Sequence, residues 1–468
     1  MMGKVLAAVQ VLTENEIEQI HSGALRILKE TGIKVPNQEI LKICQKAGAR
    51  VDEQLQIVRF PVEIIEELVG LMRKERPRRK LMEPVKKVYA NISTQTFFVD
   101  KKNHIRRYGL MDDVLKGIYL VDQLESYQKN NPIVVPSDVP YNQSDVISMH
   151  KILTYAKKEG KTYILSPTSA KYIYRMMKTL GRRFGYYLNT ISPLQYAANS
   201  LEIALVTARE GGDISVGSMV MSGSTGPVTI AGTLVLSCAE ILASQFIVYQ
   251  LTGKFAEFGS ICHSVNPSNM MCSFGSPNQG IFAVATAQLA DFYGLDSRSN
   301  SGLSDAIYPD FQAGVEKVST ALFGVLAGCG GIGAMGISGA DQGISLEQLV
   351  LDNEWIRAVN YMLNGFEVNE ETLAIKEIID AGHEANYIYQ EHTVQHLRES
   401  IYFSPIFDRI PYEVWESKGC RDLCDKVDEF IQSKLEGYKN MEPAIEENYC
   451  RQLDDILNEA IEELSKVN

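Results

Sequence analysis

Apolar residues recur every three or four positions through the first 74 residues, a spacing that predicts amphipathic helices. Thr13 followed by Glu16 has the pattern of a capping box, and Gly32 is placed to end the helix that follows. Pro36 and Pro61 are each placed to open a further helix. Residues 88–109 then change to a strand-like pattern with a turn at 101–103. We therefore expect residues 1–110 to form a helical and β extension.

Beyond Leu110, short apolar runs alternate with amphipathic helical stretches. The runs lie at 132–140, 161–169, 186–194, 214–223, 255–264, 296–305 and 331–338. This alternation is typical of βα units on a parallel sheet. At least seven such units in one run favour a closed TIM (β/α)8 barrel over an open doubly wound sheet. We predict an α/β fold with the extension at 1–110, the catalytic barrel at 111–411 and a helical tail at 412–468.

The charge and cysteine content narrow the class of protein. A formal net charge of -12 argues against a basic face that binds nucleic acid. Eight cysteines scattered through the chain fit reduced thiols better than a disulfide framework. The N-terminus does not resemble a signal peptide, and no segment is expected to cross a membrane. We expect a soluble cytoplasmic protein.

The stretch GCGGIGAMGISG at 328–339 contains the dinucleotide pattern G-x-G-x-x-G twice. That fingerprint needs a strand before its first glycine and a helix at its last. Here a helical pattern precedes the glycines and ISGADQG, a loop sequence, follows them. The stretch is therefore interpreted as a barrel strand and its loop, in which small residues leave space for a large group.

Other reactive residue types do not form a known motif. His392 and His396 are four residues apart, with His383 nearby, so a zinc site is one alternative. The glutamate that usually lies between two such histidines is absent. Cys262 and His263 are adjacent, and adjacent residues on a strand point to opposite faces. The expected carboxyl ends of the strands are polar and partly aromatic, with no evident general acid or base.

Several long motifs resemble one family. They include SGSTGPVTIAGTLVLSCAEILA at 222–243, FGSICHSVNPSNMMCSFGSPNQ at 258–279, YGLDSRSNSGLSDAIYPDFQAGVEK at 293–317 and HTVQHLRE at 392–399. Together they resemble the trimethylamine methyltransferase superfamily of corrinoid-dependent methyltransferases. The resemblance implies a TIM barrel that moves a methyl group from an amine to Co(I) of a separate corrinoid protein.

The chain has ordinary residues throughout, so it resembles the branch of this superfamily that lacks pyrrolysine. That branch implies a quaternary amine substrate, with glycine betaine first and proline betaine, carnitine or γ-butyrobetaine as alternatives. The chain lacks a D-x-H-x-x-G cobalamin motif. We therefore expect no tightly bound cofactor, a corrinoid supplied by the partner protein, and a homo-oligomer as the default assembly.

The resemblance and the residue chemistry together suggest a substrate site. Aromatic faces and a carboxylate suit a trimethylammonium group, and a donor suits a betaine carboxylate. The candidates are Phe98, Tyr141, Phe258 and Tyr308 as aromatics, Asp305 as counter-charge, Arg298 or His263 as donor, and Thr190 as a polar strand-end residue. Gly331, Gly333 and Gly336 are expected to leave room for the corrin.

One segment departs from the family pattern. Residues 381–386 read AGHEAN where a G-P-G-G segment is expected, which makes His383 a candidate for setting specificity. No catalytic acid or base and no metal ligand is predicted. Two alternatives remain open: a zinc-dependent methyltransferase that uses His383, His392 and His396, and a non-catalytic betaine-binding protein.

Overall fold

The computed structural model describes residues 8–77, 84–100, 103–384 and 386–466. Its α-helices are α1 (Glu14–Glu30), α2 (Gln38–Lys46), α3 (Val62–Glu75), α4 (Met111–Val121), α5 (Ser144–Tyr155), α6 (Pro167–Thr179), α7 (Ala198–Arg209), α8 (Ile230–Thr252), α9 (Asn278–Tyr293), α10 (Phe311–Leu326), α11 (Leu346–Asn364), α12 (Glu370–Leu373), α13 (Ile375–Ala381), α14 (Glu391–Ser400), α15 (Tyr412–Ser417), α16 (Leu423–Lys434) and α17 (Glu447–Leu464).

Its strands are short. They are β1 (Ile33–Lys34), β2 (Arg50–Asp52), β3 (Ile57–Arg59), β4 (Asn91–Ile92), β5 (Phe97–Asp100), β6 (Ile105–Tyr108), β7 (Lys129–Asn130), β8 (Glu159–Gly160), β9 (Gly185–Asn189), β10 (Asp213–Gly217), β11 (Met221–Ser222), β12 (Phe258–Gly259), β13 (His263–Val265), β14 (Cys272–Ser273), β15 (Ser297–Arg298), β16 (Ala334–Met335), β17 (Ile337–Ser338) and β18 (Gly343–Ile344).

The predicted helix starts near the N-terminus are confirmed. The Thr13 hydroxyl accepts a hydrogen bond from the backbone N–H of Glu16, and the Glu16 carboxylate accepts from the N–H of Thr13. Helix α2 begins one residue later than Pro36 suggests, because the Asn37 side chain caps it. These local side-chain signals are readable from sequence because capping joins residues only two or three positions apart.

Parallel strand pairs follow one another along the chain. The pairs are β7–β8, β9–β10, β12–β15 and β16–β4. Isolated parallel bridges join Ala90 to Tyr127, Ser218 to Ser260 and Arg298 to Gly331. The last pair returns to β4, and β4 lies before residue 111, the expected start of the barrel. The predicted α/β class and parallel pairing are thus present, while no strand pairing joins β8 to β9 among the described residues.

Antiparallel hairpins follow several of these strands. Strand β5 pairs with β6, β13 with β14, and β17 with β18. Strand β18 also pairs with β5, which joins two of the hairpins into one four-stranded sheet. Because the hairpins come after the parallel segments, they lie at the carboxyl ends of the parallel strands. They supply many of the polar residues described below.

Helix α8 is a core element. Among the described residues, it is long and apolar enough to cross a membrane by length and composition, which the sequence reading did not anticipate. However, 78% of its apolar window is buried, and α1 packs along it. Its buried face includes Glu240, a charged residue that a lipid-facing helix would disfavour. The helix therefore has the surroundings of a buried core helix.

The glycine-rich stretch forms strands and turns, as predicted, and not a nucleotide fingerprint. It follows helix α10 and contains β16 and β17. Gly331 faces the Arg298 side chain, while Gly333 and Gly336 are buried. Gly336 has a φ of 86° and donates its N–H to Asp352 at 2.7 Å. These contacts are with the protein's own side chains, so packing accounts for the small residues at Gly333 and Gly336.

A larger side chain at Gly333 is expected to destabilise the fold. An added Cβ lies 2.9 Å from two side-chain atoms of Leu303 and 3.1 Å from the carbonyl oxygen of Asn300. We expect Gly333→Val to lower the free energy of unfolding by about 1 to 3 kcal/mol, the usual cost of overpacking. Urea unfolding measures this. Gly314→Ala is the matched control, because nothing lies within 4 Å of its added Cβ, and an unchanged midpoint for Gly333→Val would contradict the packing role.

The tail contains helices, and the last of them packs against the main fold. Helix α17 lies against α5 and α6, where His150 Nε2 lies 2.9 Å from an Asp454 carboxylate oxygen. Leu453 and Ile456 of α17 are buried in the same place. By contrast, helices α12, α13 and α14 contain no buried residue. These helices and the residues just before them, the described part of 366–400, form an exposed segment that we call the helical arm.

Candidate functional site

The hairpins bring polar residues together at the carboxyl ends of the parallel strands. In parallel α/β sheets this end of the strands is where ligands bind. These residues are linked by ring contacts and hydrogen bonds, or by charges that shift the pKa of a neighbouring group. We call them the carboxyl-end cluster: His263, Cys272, Phe274, Asn300, Asp305 and Asp341.

His263 is fully buried at the start of β13. Burial lowers the pKa of His263 to about 3, so the imidazole is neutral near pH 7. One ring nitrogen faces the Gln279 amide, and Nε2 lies 3.2 Å from the amide nitrogen of Asn300. Both nitrogens are therefore engaged by protein groups. His263 thus contacts Asn300 at the cluster, and its role as donor to a substrate carboxylate stays a prediction.

Asp305 is held in one orientation by the β14 hairpin. Its carboxylate accepts hydrogen bonds from the Ser273 hydroxyl at 2.6 Å, the Phe274 N–H at 2.7 Å and the Gly275 N–H at 3.2 Å. The Phe274 ring in turn lies 4.4 Å from the His263 ring. The prediction that Asp305 provides a negative charge at this end is therefore compatible with its position.

Asp341 is a second carboxylate at the cluster, which the sequence analysis missed. It lies in the turn between β17 and β18 with a φ of 63°, and the Gln95 amide donates to it. Its side chain is open to solvent, yet the surrounding protein raises the pKa of Asp341 to about 6. An aspartate held in left-handed backbone is uncommon and often marks a functional position.

Asp305 and Asp341 lie on segments that contact each other, since the Gly339 N–H donates to the Ala306 carbonyl at 2.7 Å, and both carboxylates act on Cys272. Burial, and then the charges of Asp305 and Asp341, raise the pKa of the Cys272 thiol to about 12. The thiol is therefore protonated near pH 7 and is a poor nucleophile. Two carboxylates that converge on one position create a negative field suited to a cation. The cluster is thus better built to bind a positive group than to perform acid–base or covalent chemistry.

The predicted aromatic residues lie in different surroundings. Phe258 is fully buried and stacks on Tyr293 with ring centroids 5.5 Å apart, so its ring belongs to the core. The Phe98 ring is covered by the Arg107 guanidinium at 4.7 Å. Tyr308 is half-buried with an edge contact to His104, and Tyr141 is 70% exposed on the turn Tyr141–Gln143. Among the four predicted aromatics, Tyr308 and Tyr141 therefore keep the most accessible rings.

Thr190 is occupied by a buried carboxylate that sequence reasoning also missed. Glu240 of α8 is fully buried and accepts hydrogen bonds from Thr190 at 2.6 Å, Ser192 at 2.8 Å and Ser218 at 2.7 Å. The backbone N–H of Leu194 supplies another at 2.8 Å. These donors satisfy the charge without a cationic partner. Thr190 therefore fixes the loop after β9 and does not point its hydroxyl at a ligand.

Arg298 and His383 lie away from the cluster. Arg298 NH1 lies 3.3 Å from a Glu257 carboxylate oxygen, and its guanidinium covers the Tyr187 ring at 4.8 Å. Arg298 thus has a carboxylate partner of its own in Glu257. His383 is exposed on the 3-10 turn Gly382–Glu384 of the helical arm. The order of strands and helices does not predict where these two side chains lie. Their location depends on which face of the strand or helix points inward.

The three histidines that the zinc alternative requires are not grouped into a metal site. The rings of His392 and His396 lie 4.4 Å apart, and His396 faces a Glu371 carboxylate oxygen at 3.4 Å. Within the part of the chain that the structure describes, no group of three or more His, Cys, Asp or Glu side chains is placed to hold a metal ion. His383 does not join the other two histidines.

Known proteins resemble this chain along nearly its full length. It matches the family model described as trimethylamine methyltransferase (MTTB) over residues 2–464. It is 28% identical to the trimethylamine methyltransferase MttB of Desulfitobacterium hafniense (strain DSM 10664 / DCB-2), covering 91% of this chain and 89% of that protein. It is 25% identical to a glycine betaine methyltransferase of Desulfitobacterium hafniense (strain Y51), covering 88% and 90%.

The fold has a solved relative as well. The monomethylamine methyltransferase MtmB of Methanosarcina barkeri superposes with a TM-score of 0.51 at 10% identity, covering 98% of this chain and 88% of that chain. This likeness shows a shared fold. The chain belongs to the trimethylamine methyltransferase (MTTB) family. This confirms the family resemblance carried by the motifs at 222–243, 258–279 and 293–317.

Proposed function

We propose that this protein transfers a methyl group from a quaternary amine, with glycine betaine as the first candidate, to Co(I) of a separate corrinoid protein. The observation that carries the proposal is the convergence of Asp305 and Asp341 at the carboxyl ends of the parallel strands in a member of this family. We also propose that these strands close into the TIM barrel expected from sequence, in the cytoplasm.

The residues at the cluster suit a quaternary substrate. In the proposed reaction Co(I) attacks the methyl carbon, the carbon–nitrogen bond breaks, and its electron pair leaves with nitrogen as a neutral amine. Cobalt supplies two electrons and ends as methyl-Co(III). No proton needs to be delivered, which agrees with a neutral His263 and a protonated Cys272. The carboxylates of Asp305 and Asp341 would hold the cation in line for attack.

Exposed apolar side chains surround this end and support docking of a partner protein. They lie on loops that follow the parallel strands, where a monomer would ordinarily place polar residues. The rim consists of Tyr141, Ile191, Val228, Met270, Met271, Ile307 and Phe311. A corrinoid protein that covers this rim would also exclude water from the cluster.

A second exposed apolar surface supports the expected homo-oligomer. The helical arm exposes Phe366 by 76%, Ile379 by 71% and Tyr389 by 84%. Burial of such a surface between copies of the chain would stabilise an assembly. Sedimentation of the full chain as a monomer at micromolar concentration would contradict this assembly.

A direct assay tests the proposed reaction. The purified chain is mixed with Co(I) cobalamin, or with a reduced corrinoid protein, and conversion to methyl-Co(III) is followed by absorbance. We expect conversion with glycine betaine and slower or no conversion with trimethylamine, whose positive charge is not permanent because its nitrogen can lose a proton. Proline betaine, carnitine and γ-butyrobetaine test the length of the substrate, and tetramethylammonium tests whether a carboxylate is needed.

The same panel separates the alternatives. Tight binding of a betaine without methyl transfer to any corrinoid would favour the binding-protein alternative and overturn the proposal. Transfer from trimethylamine alone would overturn the quaternary substrate. Equal transfer from tetramethylammonium and glycine betaine would show that the carboxylate is not recognised, as expected if neither Arg298 nor His263 reaches it.

A further inference from the structure

A large cavity lies at the amino ends of the parallel strands, on the side away from the carboxyl-end cluster. Its volume is 1550 Å³. The lining takes one segment from each successive parallel strand region, near residues 91, 129, 161, 187, 215, 257, 298 and 331. Nothing in the proposed methyl transfer uses this cavity.

The cavity carries more positive than negative side chains, although the whole chain has a net charge of -12. Among the residues that the structure describes, seven lysine and arginine residues line it, against four carboxylates. Each of the four carboxylates already has a cation beside it. The pairs are Lys129 with Glu159, Lys254 with Asp213, Arg298 with Glu257, and Arg76 with Asp296. The lining lysine and arginine residues outside these pairs are therefore not neutralised by the four carboxylates.

Lys161 is the cation best placed to bind a ligand. Its side chain is accessible from the cavity, and no hydrogen bond or ion pair to its ammonium group is found among the described residues. The surrounding protein, then the charges of Arg298 and Lys129, lower the pKa of Lys161 to about 8. An anion beside Lys161 would relieve this repulsion between neighbouring cations.

Arg298, which lines the same cavity as Lys161, adds an unpartnered donor. Its Nε is buried and has no hydrogen-bond partner, although NH1 contacts Glu257. The Tyr187 hydroxyl, whose ring the guanidinium covers, is also buried and unpartnered. Buried donors are nearly always satisfied by protein, water or ligand, so the orphaned Arg298 Nε at this cavity points to an acceptor there.

The Tyr187 ring runs from the cavity along the strands. A Cβ added to Gly217 would lie 2.1 Å from the Tyr187 hydroxyl oxygen, and Gly217 forms the last pair of β9 with β10. The cavity lining comes mainly from the starts of the strands, whereas the carboxyl-end cluster follows their ends, so the two lie at opposite ends of the strands.

We propose that this cavity binds a small oxyanion, a carboxylate or a phosphate, through the Lys161 ammonium and the Arg298 guanidinium. Oxyanions match the donors of both groups, because hydrogen bonds between charged donors and acceptors are the stronger ones. The binding is independent of methyl transfer. It gives the protein a second ligand site at the opposite end of the parallel strands from its proposed reaction.

Isothermal titration of the full chain tests the proposal, with inorganic phosphate in one arm and succinate in the other at constant ionic strength in chloride. We expect saturable 1:1 binding of at least one anion, and the arm that binds identifies the class. Lys161→Met should raise the dissociation constant about tenfold or more, the usual effect of losing a charged hydrogen bond. Lys254→Met is the matched control, because Lys254 also lines the cavity but is paired with Asp213 at 2.8 Å.

The outcomes separate this proposal from the proposed function. Binding of neither anion, or equal binding by wild type and Lys161→Met, would overturn the oxyanion site. An equal loss in Lys254→Met would also overturn it, since general charge would then explain the binding. Thermal melts without anion check that both variants fold. Lys161→Met should keep methyl transfer in the cobalamin assay, so failure of that assay in the wild type would leave the oxyanion result unaffected.

Discussion

Asp341→Asn is expected to lower kcat/KM for the quaternary amine about tenfold or more. The change keeps the size and shape of the side chain and removes its charge. At 4 Å, attraction between a carboxylate and a cation is about 1 kcal/mol in water and about 4 kcal/mol at a protein surface, and about 1.4 kcal/mol corresponds to tenfold. The measurement is the initial rate of methyl-Co(III) formation at several substrate concentrations.

The pH dependence gives this prediction a second readout. The protein packed around Asp341 raises its pKa to about 6 although the side chain reaches solvent, so the carboxylate is charged above that pH and becomes protonated as pH falls through it. Wild-type kcat/KM should therefore decline below about pH 6, and Asp341→Asn should lack that decline. Asp310→Asn is the control, because asparagine can still cap α10 as Asp310 does. Identical pH profiles for wild type and Asp341→Asn would rule out the role of this carboxylate.

Asp352→Asn is expected to lower the free energy of unfolding by about 3 to 5 kcal/mol, because it leaves a buried lysine without its counter-charge. Lys317 Nζ lies 3.1 Å from the Asp352 carboxylate, and the two side chains are 1% and 0% exposed. The same carboxylate accepts from the Gly336 N–H, the Gln348 amide and the Trp355 indole. This aspartate thus joins α10, α11 and the glycine-rich stretch.

A double-mutant cycle isolates the charge effect. Lys317→Met combined with Asp352→Asn should be less destabilised than Asp352→Asn alone, because the isolated ammonium is then removed as well. Urea unfolding of the four proteins measures the coupling. Strict additivity of the two single changes would show that the ion pair contributes nothing beyond its hydrogen bonds.

The sequence predicted well those features that depend on short-range patterns. The capping box at Thr13 and Glu16, the helix start after Pro61 and the alternation of strands and helices are all present. Each relies on residues a few positions apart, whose side chains meet whatever the rest of the chain does. The family motifs between residues 222 and 317 likewise identified the family before any fold was known.

Side-chain direction was the main source of error. Phe258 and Arg298 lie on paired strands, β12 and β15, yet one side chain packs in the core and the other enters a cavity. Adjacent strand positions point to opposite faces, and a sequence does not say which face points inward. Asp341 and Glu240 were missed because an isolated carboxylate in a loop or an apolar helix has no local signal.

Residue order alone settles the helix caps, the alternating α/β elements and membership of the trimethylamine methyltransferase family. These follow from local patterns and from motifs that lie within continuous stretches of chain. Only the folded chain decides that Asp305 and Asp341 both act on Cys272, that Asp352 meets Lys317, and that Lys161 and Arg298 line one cavity. Those pairs are distant in sequence, and burial and charge act through distance in space.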